Sequence, residues 1–202
     1  MSPSTQAGLR TREAVLSRAV DLASVEGLEG LTIGRLATDL KMSKSGLFDR
    51  FGSKQELQLA TVERATQVFW RLVVEPAGAA AAGIERLRAL FEGYLRYLER
   101  DTLPGGCFMC AASTEFDGRP GAVRDAIAAA GRAWGSELLG QAELAGEQGA
   151  LPAGVTPAQV VFELSAYANQ ANGVYQLERD RGAFARARSA AARILGLSLI
   201  HI

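Results

Sequence analysis

The residues best suited to chemistry lie in the segment 41–54, KMSKSGLFDRFGSK, which contains all three lysines of the 202-residue chain. The other strongly basic residues are arginines, and 14 of them follow residue 54. Ammonium groups, serine hydroxyls and the amides at a helix start are the groups that proteins use to bind phosphate oxygens. The segment therefore favours binding of a phosphate-bearing partner, with Ser43, Lys44 and Lys54 as candidate ligands.

The cysteines and the histidine offer little catalytic or metal-binding chemistry. Cys107 and Cys110 form a single C-x-x-C pair, and the only histidine, His201, lies near the end of the sequence. Two cysteines three residues apart make no disulfide framework, which indicates a reducing compartment, and a His-rich metal site is close to excluded. Cys107 follows a Gly-Gly turn and has two interpretations. It is either a reactive thiol or a buried cysteine that packs as a small apolar side chain. We expect no cofactor and no metal.

Composition and charge are those of an ordinary globular protein, with 48% hydrophobic and 22% charged residues and no formal net charge. No apolar run approaches the ~20 residues needed to cross a bilayer. The opening MSPSTQAGLRTRE lacks the apolar core of a signal peptide and is expected to be a loose arm. We expect a cytoplasmic protein without membrane contact. Residues 1–54 carry 8 lysines and arginines against 6 acidic residues, and the rest carries 14 against 16.

Helical periodicity runs through the chain, and no alternating apolar pattern competes with it, so the predicted fold class is all-α with about nine helices. Caps and breakers give the boundaries: Gly27 and Gly52 end helices, whereas Thr32, Ser43, Ser53 and Thr156 begin them. The clearest predicted helices cover Leu9–Glu26, Ile33–Leu40, Lys44–Phe51, Ser53 to about Pro76, Gly83–Arg100, a helix reaching about Gln148, Pro157 to about Glu178, and Gly182–Leu195.

Two short helices joined by the three residues 41–43 are typical of a helix-turn-helix. The second helix of such a motif lies in the major groove of DNA, so its exposed face needs small side chains where the backbone approaches the bases, and Ser45 and Gly46 supply them. Glycine inside a helix costs about 1 kcal/mol relative to alanine, which favours clearance as its purpose. Leu47 and Phe51 are predicted to face the core.

The segment TREAVLSRAVDLASVEGLEGLTIGRLATDLKMSKSGLFDRFGSKQEL, residues 11–57, resembles the DNA-binding region of the tetracycline-repressor (TetR) family of bacterial regulators. The shared features are the small second helix, the turn, Ser-x-Gly-x-aromatic, a polar pair, Phe, and Ser-Lys-x-x-Leu. Two residues depart from the family pattern, because Phe48 stands where tyrosine is usual and Arg50 where histidine is usual. Phe48 lacks a hydroxyl for phosphate, and the charge of Arg50 can replace that contact.

The resemblance implies a homodimeric transcriptional regulator, most often a repressor, whose partners are a double-stranded DNA operator and a small-molecule effector of unknown identity. It implies a helix-turn-helix DNA-binding domain over residues 1–52 and an effector-binding and dimerisation domain over residues 53–202. Arg10 or Arg12 is expected to reach phosphate from the arm. The remaining residues expected at DNA are Thr32, Ser43, Lys44, Ser45, Gly46, Phe48, Arg50 and Lys54.

An effector pocket in the second domain is expected to be apolar with a few polar groups. Asn169 belongs to a polar stripe with Ser165, Asn172 and Gln176. Three alternatives are open for this stripe: it faces solvent, pairs across the dimer, or offers hydrogen bonds to the effector. The residues predicted to bind the effector are Trp70, Phe91, Tyr94, Cys107, Phe108, Trp134, Phe162 and Asn169.

The last two helices are predicted to form the dimer interface. The first apolar stripe is Val160, Val161, Leu164, Ala168, Ala171 and Val174, and the second is Phe184, Ala187, Ala191, Ile194 and Leu195.

Two other classes of protein remain as alternatives to a regulator. An α-helical enzyme would need a nucleophile beside a base, a metal cluster or a phosphate loop, and the sequence contains neither G-x-x-x-x-G-K-[ST] nor G-x-G-x-x-G. A helical adaptor would bind only protein. Both alternatives predict weak DNA binding without sequence preference, in contrast to a regulator. Because the catalytic motifs are missing from the sequence, we expect that the protein is not an enzyme.

Overall fold

The computed structural model describes the backbone of residues 3–196 and the side chains of residues 12–196. Over this range the chain forms nine α-helices and no strand, which confirms the predicted all-α class. The side chain of Arg10, and the whole of His201, lie outside the described residues. The helices are α1 Pro3–Glu26, α2 Ile33–Leu40, α3 Lys44–Phe51, α4 Lys54–Phe69, α5 Ile84–Glu99, α6 Phe108–Phe116, α7 Ala122–Glu147, α8 Pro157–Glu178 and α9 Gly182–Ile194.

Four of these helices begin at a side-chain cap that the sequence predicts. In each, a hydroxyl oxygen accepts a hydrogen bond from the backbone N–H three residues later, which satisfies a donor that the helix leaves unpaired and contributes about 1 kcal/mol. The pairs are Thr32 with Arg35 at 3.0 Å, Ser43 with Gly46 at 3.1 Å, Ser53 with Glu56 at 3.1 Å, and Thr156 with Gln159 at 3.2 Å. Gly27 and Gly52 adopt positive φ at helix ends, as predicted.

The expected loose arm at the N-terminus is wrong from residue 3 onward, because α1 begins at Pro3 rather than at Leu9. Proline is favourable in the first turn of a helix, where its missing N–H leaves no hydrogen bond unmade. No further proline follows before Glu26, so the helix continues without a break.

Helix α4 continues beyond Phe69 through a π-helical turn, Trp70–Val74, and a last turn, Glu75–Ala77. In the π-helical turn the N–H of Glu75 donates to the carbonyl of Trp70, five residues earlier. Pro76 has no N–H to continue the ordinary ladder, which accounts for a change of pattern at this point. The predicted end near Pro76 is close to the observed one, and the π-helical turn is a feature the sequence pattern does not reveal.

The described helices form two compact units. The first contains the chain up to Val68 together with Leu103–Ala130, and the second contains Phe69–Thr102 and the chain from Gly131. The domain boundary at residue 52 stays a prediction. The largest fully buried side chains of the first unit are Val15, Leu28, Leu31, Leu36, Leu47 and Leu57, and those of the second are Leu87, Leu90, Leu95, Leu98, Leu164 and Phe184.

In the second unit, α9 is attached to α5 by a half-buried arginine. The guanidinium of Arg188 binds Glu92 at 2.9 Å and Glu99 at 2.8 Å. These hydrogen bonds raise the pKa of Arg188 above the ordinary value of an arginine. No helix within residues 3–196 is long and apolar enough to cross a membrane.

Candidate DNA-binding surface and effector region

Helix α3 has one buried and one exposed face. Leu47 is fully buried and Phe51 nearly so, as predicted, and they fix the helix against its own unit. Lys44, Ser45 and Arg50 are exposed, and the ring of Phe48 is 53% exposed. A large aromatic side chain left open to solvent on a helix that also carries two cations makes this face suitable for contact with a partner.

Gly46 lies against the hydroxyl group that caps α3. A β-carbon at this position would lie 2.9 Å from the hydroxyl oxygen of Ser43, which is closer than van der Waals contact allows. The same hydroxyl caps α3 by accepting from the N–H of Gly46. The caps onto Arg35, Glu56 and Gln159 form beside a β-carbon at the same position, so the cap does not require glycine, and clearance stays the predicted reason for it.

Lys54 is already paired inside the protein. Its ammonium group donates to the carboxylate of Glu29 at 2.7 Å. This hydrogen bond lowers the pKa of Glu29, and Gln58 acts in the same direction. The partner lies 25 residues away in the turn between α1 and α2, a contact that no local sequence signal predicts. Thr32, another residue predicted at DNA, uses its hydroxyl oxygen to cap α2.

Two ion pairs hold α2 on α1. Arg18 of α1 donates to both carboxylate oxygens of Asp39 at 2.5 and 3.0 Å. Arg35 of α2 donates to Glu26 at 2.9 Å and lies 3.6 Å from Asp39. The guanidinium carbon of Arg12 lies 5.8 Å from the centre of the Phe51 ring, so this cation stands at the C-terminal end of α3.

The residues predicted to bind the effector are divided between the two units. In the first unit, Cys107 and Phe108 are buried at the start of α6. In the second unit, the hydroxyl of Tyr94 donates to Asn169 at 3.4 Å, and its ring centre lies 6.0 Å from that of Trp134. Phe91 is buried and Trp70 is partly exposed. Phe162 is 70% exposed on α8.

The aromatic cluster of the second unit also contains residues outside the predicted set. Phe69 packs edge-on against Tyr94, Tyr97 and Trp134, with ring centres 5.4, 5.6 and 5.0 Å away. Two helical turns after Asn169 on the polar stripe of α8, the Nε2 atom of Gln176 is buried without a hydrogen-bond partner among the described residues. An unpaired buried amide is costly, so this atom is a candidate for contact with a ligand.

A groove of about 500 Å³ lies between the turns that follow α4 and helix α5. None of the eight predicted effector residues lines it. Gly93 allows α5 to approach these turns, because a β-carbon there would already lie 3.4 Å from the carbonyl oxygen of Val73. The groove is lined by Leu72, Val73, Pro76, Ala77, Ala89, Glu92, Gly93, Arg96, Tyr97, Arg100 and Thr102.

Two family models match the sequence. The model of bacterial regulatory proteins of the tetR family matches residues 15–61, and the model of the tetracyclin repressor-like C-terminal domain matches residues 83–191, which is more than half of the chain. The chain belongs to the TetR family. It is thus a DNA-binding regulator of a family that acts as homodimers and responds to small-molecule effectors. No curated protein matches the chain significantly.

Solved structures share the TetR fold along nearly the whole chain. A TetR transcriptional regulator from Chloroflexus aurantiacus has a TM-score of 0.85 at 21% identity, covering 95% of this chain and 98% of its own. AibR in complex with isovaleryl coenzyme A and operator DNA has a TM-score of 0.75 at 20% identity, covering 92% and 98%. A TetR-family regulator from Streptomyces coelicolor has a TM-score of 0.73 at 22% identity, covering 97% and 95%.

The first apolar stripe predicted for the homodimer interface lies largely in the core of the protomer. Val160, Leu164, Ala168 and Ala171 are all buried inside the protomer, so most of that stripe is intrachain core. The large exposed apolar side chains of α8 are Phe162 and Leu177, with Leu177 87% exposed. Ala166, Asn169 and Gly173 lie between them at helical spacing, so this face of α8 carries two large apolar side chains with small and polar residues between them.

Proposed function

We propose that this TetR-family chain is a homodimeric repressor that binds its operator through α3 and is released from it by a small molecule. The observation that carries the proposal is the exposed face of α3, on which Lys44, Phe48 and Arg50 surround the small residues Ser45 and Gly46. Residues 1–52 act as the DNA-binding domain, and residues 53–202 bind the effector and the second subunit. The protein acts in the cytoplasm and carries out no catalysis.

The exposed residues of α3 divide into two roles. Ser45 and Gly46 stand where the backbone comes nearest to base edges, because they leave the least side-chain bulk. Lys44 and Arg50 neutralise phosphates, and the ring of Phe48 packs against the sugar-phosphate backbone. The hydroxyl of Ser43 can donate its hydrogen to a phosphate oxygen while its own oxygen caps α3. The hydroxyl of Thr32 can do the same at the start of α2. Lys54 reaches phosphate only by sharing its ammonium group with Glu29.

Selection of bound fragments from genomic DNA gives the operator, and titration against salt tests the phosphate contacts. Each phosphate contact lowers the slope of log affinity against log salt by about 0.9, so a contact made by both subunits changes the slope by about 1.8. Lys44→Ala and Arg50→Ala are each expected to weaken operator binding and to flatten the slope by this amount. Unchanged affinity and slope in both variants would contradict the assignment.

The control for these two variants is Arg132→Ala, which removes an exposed arginine of α7 outside the predicted DNA-binding domain. It is expected to leave both the operator affinity and the slope unchanged. An equal effect of Arg132→Ala would mean that net charge, and not contact, controls the affinity.

The effector region is assigned to the aromatic cluster of the second unit. Tyr94, Trp134 and the amides of Asn169 and Gln176 supply an apolar surface with a few polar groups, the composition of a small-molecule site. The solved complex of AibR, which has the same fold, contains both isovaleryl coenzyme A and operator DNA. An effector that favours the DNA-incompetent dimer by about 1–3 kcal/mol weakens operator binding about 5–150-fold.

A thermal-shift screen, followed by operator titration with each hit, tests the effector proposal. A true effector weakens operator binding, and operator DNA weakens effector binding by the same factor, because the coupling free energy is reciprocal. Trp134→Ala is expected to reduce the affinity for the effector and to leave operator binding in its absence intact. Hits of diverse chemistry that stabilise the protein without changing operator affinity would count against the proposal.

A further inference from the structure

The turn between α1 and α2 is held by a carboxylate from a distant helix. Glu115, in the last turn of α6, accepts a hydrogen bond from the N–H of Leu28 at 2.7 Å and another from the N–H of Glu29 at 3.1 Å. One oxygen of the carboxylate serves each donor. Hydrogen bonds to an ionised acceptor are about twice as strong as those between neutral groups, so this pair is a firm attachment.

Two glycines make the close approach of these segments possible. At Gly27, where φ is +83°, a β-carbon would lie 2.8 Å from a carboxylate oxygen of Glu115. At Gly105, just before α6, a β-carbon would lie 1.8 Å from the carbonyl oxygen of Ser24. The N–H of Gly105 also donates to the hydroxyl of Ser24 at 3.1 Å. The end of α1 and the turn after it are therefore attached to both ends of α6.

The same turn also carries the residue that binds Lys54. The side chain of Glu29 accepts from Lys54 and from Gln58, both at the start of α4, and lies 3.6 Å from Arg119. Gln58 donates in addition to the carbonyl of Leu28 at 2.9 Å. Through these contacts the backbone of residues 28 and 29 is fixed by α6 on one side and by α4 on the other.

We propose that Glu115 is a positioning residue for DNA binding. Its carboxylate fixes the turn from which α2 departs, and α2 packs against α3, so the orientation of the DNA-contacting face depends on a residue of α6. The residue itself contacts no phosphate. A turn that is already ordered in the free protein has no ordering entropy left to lose when the operator binds, which favours affinity.

This inference rests on the proposed function, and it goes beyond it by assigning a role in operator recognition to a side chain 67 residues beyond Phe48 in the sequence. A role confined to stability would affect the melting temperature only. A positioning role also affects how well the folded protein distinguishes operator from other DNA, because a misoriented α3 still meets phosphates but no longer meets the correct base edges.

The test compares Glu115→Ala and Glu115→Gln with wild type in the full-length dimer. Glu115→Gln keeps the size of the side chain and one acceptor oxygen, and it is the variant to use if Glu115→Ala fails to fold. The matched control is Glu143→Gln, which removes the same charge from an exposed glutamate of α7. Operator affinity, affinity for non-operator DNA, the salt slope, and amide exchange at residues 28 and 29 are measured well below the melting temperature.

For Glu115→Ala the expected result is about a tenfold loss of operator affinity, equivalent to 1.4 kcal/mol. Affinity for non-operator DNA and the salt slope stay unchanged, and the two amides exchange faster. Glu115→Gln lies between Glu115→Ala and wild type. Operator affinity within twofold of Glu143→Gln would overturn the inference, and so would a changed salt slope, since Glu115 would then act through charge. A wild type that does not distinguish operator from other DNA would refute the proposed function instead.

Discussion

At the scale of the single residue, Gly46 is unfavourable for the helix in which it lies, and a reason other than stability is needed to explain it. Alanine at this position gains about 1 kcal/mol of helix propensity. Its β-carbon would lie 2.9 Å from the hydroxyl oxygen of Ser43, a contact that a small shift of that side chain relieves, as in the caps onto Arg35, Glu56 and Gln159. Stability therefore gives no reason for glycine at this position, and the remaining reason is room for DNA.

Gly46→Ala is therefore expected to change the free energy of unfolding by less than about 1 kcal/mol while reducing operator affinity at least tenfold. Urea denaturation and operator titration measure the two quantities. Ser43→Ala is the matched control for the cap, because it removes the hydroxyl and leaves Gly46 in place, and it is expected to be destabilised by about 1 kcal/mol. If Gly46→Ala binds the operator as tightly as wild type does, clearance is not the function of this glycine.

Single residues differ in how well the sequence predicts their contacts. The capping serines and threonines are predictable because donor and acceptor lie three residues apart in the chain. Lys54 is predicted only as a phosphate ligand, because its partner Glu29 lies 25 residues away. Glu115 carries no local signal for its contacts, because its donors, Leu28 and Glu29, are 87 and 86 residues distant. Contacts at such separations depend on tertiary packing, which local patterns do not contain.

At the scale of the secondary-structure element, the ion pair between α1 and α2 makes the attachment of α2 dependent on pH. The hydrogen bond from Arg18 holds the pKa of Asp39 below its ordinary value of 3.8, and the charge of Arg35 acts in the same direction. A carboxyl group whose pKa is lowered by folding stabilises the folded state above its ordinary pKa. This contribution is lost as the pH falls from 3.8 through the lower pKa of the folded state.

Asp39→Asn is expected to be less stable than wild type at pH 7, and the difference is expected to shrink as the pH falls below 3.8. Urea denaturation at pH steps from 7 down to about 2.5 measures this convergence. Asp49→Asn, an exposed aspartate of α3, is the control and is expected to follow the wild-type curve. A stability difference between Asp39→Asn and wild type that stays constant down to the lowest pH would show that the lost interaction is not ionic.

The elements themselves are largely predictable, and the exceptions have local causes. Helix boundaries set by a cap or by a glycine with positive φ agree with the sequence prediction. The predicted start of α1 at Leu9 is wrong because Pro3 is compatible with the first turn of a helix. The π-helical turn at Trp70–Val74 lies just before Pro76, which has no N–H for the ordinary helical hydrogen bonds. The apolar pattern of the sequence gives no sign of this turn.

At the scale of the whole molecule, the dimer interface shows why a hydrophobic stripe alone is ambiguous. The stripe through Val160 and Leu164 has the helical spacing of an interface, and the same spacing serves the core of the protomer, where these residues lie. The face that remains exposed has fewer apolar residues and is harder to find in the sequence. Its large side chains, Phe162 and Leu177, are separated by 15 residues, about four helical turns.

Phe162→Glu combined with Leu177→Glu is expected to convert the dimer to a monomer. A partner helix packed on α8 would bury both side chains, each 70% or more exposed in the protomer, and a carboxylate in their place would be buried without a cation. Since two linked half-site contacts exceed one by a factor of at least about 100, operator affinity is expected to fall roughly 100-fold or more. Sedimentation at micromolar concentration measures the mass, and operator titration measures the affinity.

The control for the dimer prediction is Val25→Gln, which replaces another exposed apolar residue, on α1, and should leave the mass of the dimer unchanged. Circular dichroism must show the same helix content in all variants, because the exposed positions contribute nothing to the protomer's core. The decisive comparison is between mass and affinity. A double variant that still sediments as a dimer would place the interface elsewhere, and a folded monomer that keeps wild-type operator affinity would show that dimerisation is not needed for recognition.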